Sequence, residues 1–188
     1  MKTKMKKMKK INREESGQAL VELAFALVLL CVFVSGIIDF GRAIYDVEVM
    51  KNLVGEGSSM ASRTTTLPMT VTTLVNDAGA DINLGTQGCV IVTSVTNNPS
   101  GAGQVVTGQA SQCAIAASSK VGCLKGQGSC GSSSAILPPA AVNALATEPT
   151  GSSIYVTEIY YTYNTVTPIV GLLGTSVLPS QLYSVAYY

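Results

Sequence analysis

The side chains able to do chemistry are few. The chain contains no histidine, which removes the commonest general base and the commonest metal ligand. Serine is frequent and four aspartates are present, but without histidine they assemble no hydrolase constellation. The Gly-rich GQGSCGSSS, residues 126–134, lacks the strand-to-helix context and the Lys-Ser/Thr ending of a phosphate loop and reads as a plain loop. Neither an enzyme nor a cofactor is expected. Four cysteines, Cys89, Cys113, Cys123 and Cys130, lie in the C-terminal part and are separated by 23, 9 and 6 residues. Zinc sites favour C-x-x-C pairs or histidine, so these four read as two disulfides and not as a metal site. Cys89 with Cys113 and Cys123 with Cys130 is the preferred pairing among three connectivities, which sequence does not decide. Cys31 sits in an apolar stretch as a small filler.

Glu22 is the one charge between Gln18 and Ile38. A carboxylate near the start of an apolar helix costs on the order of 2 to 3 kcal/mol unless it is paired or reaches the headgroups. Asp39 and Arg42, three residues apart just beyond that stretch, read as a local ion pair. The 21 residues from Gln18 to Ile38 are long enough to cross a hydrocarbon core of about 30 Å as a helix. Residues 1–17 hold seven Lys or Arg against two Glu, whereas 18–188 hold five against nine acidic residues. Lysines beside one end of an apolar span keep that end in the cytoplasm, so a single pass with the body exported is expected. An oxidising compartment outside agrees with disulfides. A weakly acidic body offers nucleic acid no basic face, so the membrane is the expected partner. Val34-Ser35-Gly36 is the nearest analogue of a signal-peptide cleavage site, yet the helical pattern continues past it; cleavage beside Gly17 is the competing reading.

Phe40, Ile44, Val47, Lys51 and Val54 follow helical spacing, with Asp46, Glu48 and Asn52 off that stripe. This predicts an amphipathic helix continuing to about Ala61, where Gly41, Gly55 and Gly57 allow bending or close packing. A short second helix follows within 64–82, capped by Thr66, with Pro68 in its first turn and Gly79 as its stop. Cys89 to Thr96 reads as a strand, paired through the turn NNPSGAG with Val105 to Thr107. From Gly108 to Ser134 the sequence collapses to small residues that cannot build a core, so disulfides are expected to tie it down. A linker with Pro138, Pro139 and Pro149 leads to the clearest strand, Ser152 to Tyr163. Ile154, Val156, Glu158, Tyr160 and Thr162 share one face of it, and Tyr155, Thr157, Ile159, Tyr161 and Tyr163 the other. TPIVGLLGTSVLPS is an apolar connection to a last strand, LYSVAYY. Every tyrosine but Tyr45 lies between Tyr155 and Tyr188, which suits ladders across an antiparallel sheet.

GQALVELAFALVLL, residues 17–30, sets a glycine before an apolar run and a glutamate five residues after it. With the basic leader, this resembles the prepilin-like proteins. Together with IIDFGRAIYD it resembles the TadE-like pseudopilins of tight-adherence (Flp-type) pili, and VTEIYYTYNTVTPIVGLL is similar to that family's later strand and Pro-containing apolar stretch. The likeness covers 14–63 and, more weakly, 152–188, with none between. Leu23 departs from it, standing where Flp-type prepilins commonly carry an aromatic. The resemblance implies a pilin-like α+β fold: a cytoplasmic leader 1–17, a transmembrane and stalk helix 18–61, and an exported domain 62–188 with a small antiparallel sheet, into which the disulfide-stapled Gly/Ser-rich stretch, outside the likeness, reads as an insertion. It also implies removal of the leader by a prepilin peptidase, with Gly17 its last residue and Gln18 the new N-terminus. Glu22 would be the acidic position that registers one helix against the next. Other pilins or pseudopilins and the assembly machinery would be the partners, in the bacterial cytoplasmic membrane or the extracellular pilus, in the service of cell adhesion. Ala19, Ala24, Ala26, Ser35 and Gly36 would let helices approach closely. Two rivals stay open: a structural filament subunit, and an uncleaved membrane-anchored module whose tyrosine-rich domain binds a ligand.

Overall fold

No proline falls between Lys2 and Ala61, and straight-chain and small residues dominate there, so nothing interrupts the i to i−4 hydrogen-bond ladder. The computed structural model describes residues 2–63, 66–97, 104–122, 133–167 and 180–188. Helix α1 covers Lys2–Ala61. The chain divides into two compact units, Met1–Arg42 with Thr165–Val177, and Ala43–Asn164 with Leu178–Tyr188, so that α1 contributes to both.

In the second unit, α2 (Leu67–Thr73) has Pro68 in its first turn and runs on into a π-helical turn, Leu74–Ala78. Thr66 takes the extended N-cap backbone, but its hydroxyl makes no capping bond, contrary to expectation. Pro68 occupies one of the two positions whose N–H a cap would satisfy and has none to offer. A 3-10 turn, Ala80–Ile82, and the short α3 (Leu84–Gln87) lead to strand β1 (Gly88–Asn97). Then come β2 (Gln104–Cys113), the two-residue β3 (Ser133–Ser134), α4 (Pro139–Thr147), β4 (Ser153–Thr162) and β5 (Gln181–Tyr187). They form one antiparallel sheet in the order β3-β2-β1-β4-β5.

Two segments depart from the sequence reading. Strand β2 does not stop at Thr107 but continues through Gly108–Cys113, because β1 supplies its ladder and Cys113 lies opposite Cys89 and is disulfide-bonded to it. Weak strand formers are held there by pairing and not by propensity. Helix α4 lies in what reads as a linker; its proline sits at the helix start, where a missing N–H costs nothing. The disulfide therefore joins neighbouring strands, while Cys123, Cys130 and the apolar connection 168–179 lie outside the described residues.

Both faces of the sheet are covered. Val90, Val92, Ile159, Tyr161 and Tyr163 belong to one core with Ala43, Met50, Leu53, Val54 and Ala61 of α1. On the other face, Val95, Val106 and Val156 pack with Val121 and Leu145, beside a cluster of Cys89, Ile91 and Tyr160. The buried stripe of α1 is Ala43, Asp46, Met50, Leu53, Val54, Gly57, Ser58 and Ala61. It lies one residue away from the expected one, leaving Phe40 and Ile44 at 59% and 51% exposure. Close approach decides this: a Cβ at Gly57 would stand 2.6 Å from Leu74 Cδ1 and 3.0 Å from Thr157 Cγ2. Small residues let the helix sit down on β4, and the Ser58 hydroxyl lies between the Val54 carbonyl of its own helix at 2.9 Å and the Ala186 carbonyl at 3.0 Å.

Candidate functional site

Within α1, the run from Gly17 to Val34 is exposed throughout. Its large side chains, Leu20, Leu23, Phe25, Leu29 and Phe33 among them, are 56% to 73% exposed. The most apolar 18-residue window of Gly17–Ala61 reaches a mean hydropathy of 2.7 with none of it buried. In water such a surface would be a heavy liability, whereas hydrocarbon or neighbouring helices remove it. The helix is thus a candidate membrane anchor. Gly17, Gln18 and Glu22 all lie on its exposed surface, and nothing stands within 4 Å of where a Gly17 Cβ would be. The free Cys31 is exposed in the same run.

Asp39 follows directly and is almost fully buried. Its carboxylate accepts the Val166 N–H at 3.0 Å and the Thr167 N–H at 3.3 Å on one oxygen, and the Thr167 hydroxyl on the other. Charge-assisted bonds to consecutive N–H groups offset the cost of removing a carboxylate from water. Arg42 is near enough for its charge to act on Asp39, but the local pair read from sequence is not the main engagement. Asp39 holds a corner of the chain more than 120 residues away in sequence.

A second buried carboxylate, Glu158 of β4, has no exposed surface. Its position opposite Ile91 on β1 and Val185 on β5 places it mid-sheet. One oxygen accepts the Lys120 N–H at 2.9 Å and the Tyr183 hydroxyl at 3.0 Å, and the other accepts the Ser119 hydroxyl; the Tyr160 hydroxyl, 3.3 Å from the first oxygen, donates to the Ser118 carbonyl at 2.6 Å. The Lys120 ammonium lies 3.7 Å above the Tyr183 ring, and the Tyr160 and Tyr183 rings are tilted against each other at 4.8 Å. Burial, and next the Glu158 charge, push the Tyr160 and Tyr183 phenols well above their ordinary range, and Tyr187 moves the same way. The network pins the segment after β2 onto the sheet. It accounts for two tyrosines as structural donors, and Tyr161 and Tyr163 are buried core.

Of the residues singled out by sequence, Gly17, Gln18 and Glu22 share one short exposed stretch, and Cys89 and Cys113 are joined. The roles of Asp39 as a long-range acceptor and Glu158 as a mid-sheet acceptor escaped notice. A signal existed for Glu158: a lone carboxylate between Val156 and Tyr160 on one strand face, in a sequence with tyrosines to serve it. Among the described residues no group of three or more Cys, Asp or Glu is placed to hold a metal.

The first stretch, with residues 17–59 in all, matches the family model described as TadE-like protein. That family is associated with the tight-adherence pilus. Comparison with curated proteins and with solved structures gave no match.

Proposed function

We propose that this chain, TadE-like over residues 17–59, is a membrane-anchored assembly component of a tight-adherence pilus that is processed after Gly17 and works by helix packing, without catalysis. The observation that carries this reading is the exposed apolar run of α1 with Gly17, Gln18 and Glu22 at its start. Glycine in a helix costs about 1 kcal/mol relative to alanine, so Gly17 is a point where the helix opens for a protease. Cleavage leaves an ammonium on Gln18, one turn before Glu22, at a helix end whose free N–H groups are already electropositive. A neighbouring subunit's Glu22 carboxylate then meets that ammonium in a low-dielectric setting and fixes the register of the two helices. The buried stripe from Ala43 to Ala61 carries the sheet, so residues 18–38 stay available to neighbours. In this reading the leader lies in the cytoplasm and the sheet domain outside the bacterial cytoplasmic membrane.

Intact mass and N-terminal sequencing of the protein from host membranes with an active prepilin peptidase test the reading. A mature chain beginning at Gln18 is expected, and Glu22→Ala should then abolish assembly while leaving cleavage intact. An intact leader would leave an uncleaved anchored domain, and a chain starting beyond Gly36 a secreted one.

A further inference from the structure

The corner that Asp39 grips lies beside the last residues of the apolar run, within the same unit. Ile37, Ile38 and Phe40 expose large apolar side chains on either side of Asp39. Val166 does the same at 55% exposure while its own N–H is bonded to the carboxylate. Backbone donors carried past the headgroups into hydrocarbon have to be satisfied within the protein. Here the N–H groups of Val166 and Thr167 and the Thr167 hydroxyl are all satisfied by Asp39, the next residue has no N–H, and from Pro168 to Leu178 the sequence carries no charge. A polar group placed to neutralise a corner's donors while its one large side chain faces outward, continuous with the exposed apolar run, is what an interfacial contact needs.

We propose that Val166 and Thr167 form a second contact with the lipid bilayer, at the outer end of the α1 span, and that Asp39 is the residue that positions them there. The contact rests on the reading of α1 as the membrane anchor. It would set the depth of the corner, so that this stretch of the exported chain lies against the lipid surface.

The protein has no tryptophan, so single-tryptophan variants of the full chain report depth cleanly. Leu29→Trp, Val166→Trp and, as a marker of the sheet domain, Ile136→Trp would be reconstituted in phosphatidylethanolamine–phosphatidylglycerol vesicles. These would contain lipid brominated near the headgroup end of one acyl chain or near its methyl end. Leu29→Trp should be quenched by the deep bromines and Val166→Trp by the shallow ones, with Ile136→Trp unaffected. Asp39→Ala, added to Val166→Trp, should abolish the shallow quenching and leave that of Leu29→Trp unchanged. Quenching of Leu29→Trp without quenching of Val166→Trp overturns the second contact alone. Shallow quenching of Val166→Trp that survives Asp39→Ala, or is matched at Ile136→Trp, overturns it as well. No quenching of Leu29→Trp overturns the anchor and the contact together. The Val166→Trp reading by itself needs no destabilising change, so it stands even where Asp39→Ala unfolds.

Discussion

The two stretches of α1 make opposite use of one secondary structure. From Leu20 to Ile38 the large side chains are apolar, but for Glu22, and exposed; from Ala43 to Ala61 the buried ones include Ala, Gly, Ser and an aspartate. Hydrophobicity therefore does not forecast burial along this helix. The sheet selects residues that let β4 come close, and the bulky apolar surface of the first stretch stays exposed. Exposed Phe25 and buried Gly57 are each suited to their neighbours, and they would be misplaced if exchanged.

Paired substitutions sharpen that contrast. Met50→Ala, at a side chain with no exposed surface, should destabilise the sheet domain by about 3 kcal/mol, the order found for buried large-to-small changes. Phe25→Ala, on the exposed run, should leave its unfolding within about 0.5 kcal/mol of the parent. Denaturant titration of the full chain in detergent reads both, and equal effects would break the distinction.

Next in size is the response to alkali, which belongs to the sheet domain. The folded protein keeps Tyr160, Tyr183 and Tyr187 protonated above their ordinary value of 10.0, through burial and then the Glu158 charge. The unfolded chain loses those protons first. Stability is therefore intact below about pH 10 and falls as the pH rises from there through the folded values. Tyr183→Phe should flatten that fall, and thermal unfolding followed from neutral pH upward measures it. An unchanged slope would mean that Glu158 and its burial do not govern these phenols.

The smallest effects should differ in sign. Gly57→Ala adds a methyl against Leu74 and Thr157, and crowding of about 1 to 3 kcal/mol outweighs a helix-propensity gain of about 1, for a net loss near 1 kcal/mol. Gly41→Ala meets nothing within 4 Å and should favour the helix by about 0.5 to 1 kcal/mol. Helix content and unfolding midpoint of the two variants, compared side by side, decide whether close packing is confined to the second stretch.

Much of this was legible in the residues. The end of α1 at Ala61, the strand Ser153–Thr162 with its two faces, the hairpin of β1 and β2 and the final strand all follow from periodicity and β-branching, whereas the Cys89–Cys113 pair, preferred among three, was decided by the strand register. The buried stripe of α1 was displaced by one residue because the amphipathic pattern weighs Phe40 and Ile44 as core formers, although close contact with a sheet rewards Ala43, Gly57 and Ser58. Residues Gly108–Cys113 became strand only through their partner on β1. Helix α4 was hidden by prolines that suit a helix start as well as a linker.

By itself, the sequence determined that a long apolar helix comes first, that a cystine-bearing antiparallel sheet follows, and that Glu22 is the lone charge of the apolar run. Each is a local property, written in composition and period. Only the tertiary structure decided what the other carboxylates do. Asp39 reaches Val166 and Thr167, and Glu158 gathers Ser119, Lys120 and Tyr183. Those partners are distant in the chain, or turned toward the carboxylate by sheet register. A buried charge is defined by donors that converge on it in space, and no spacing along the sequence encodes that convergence.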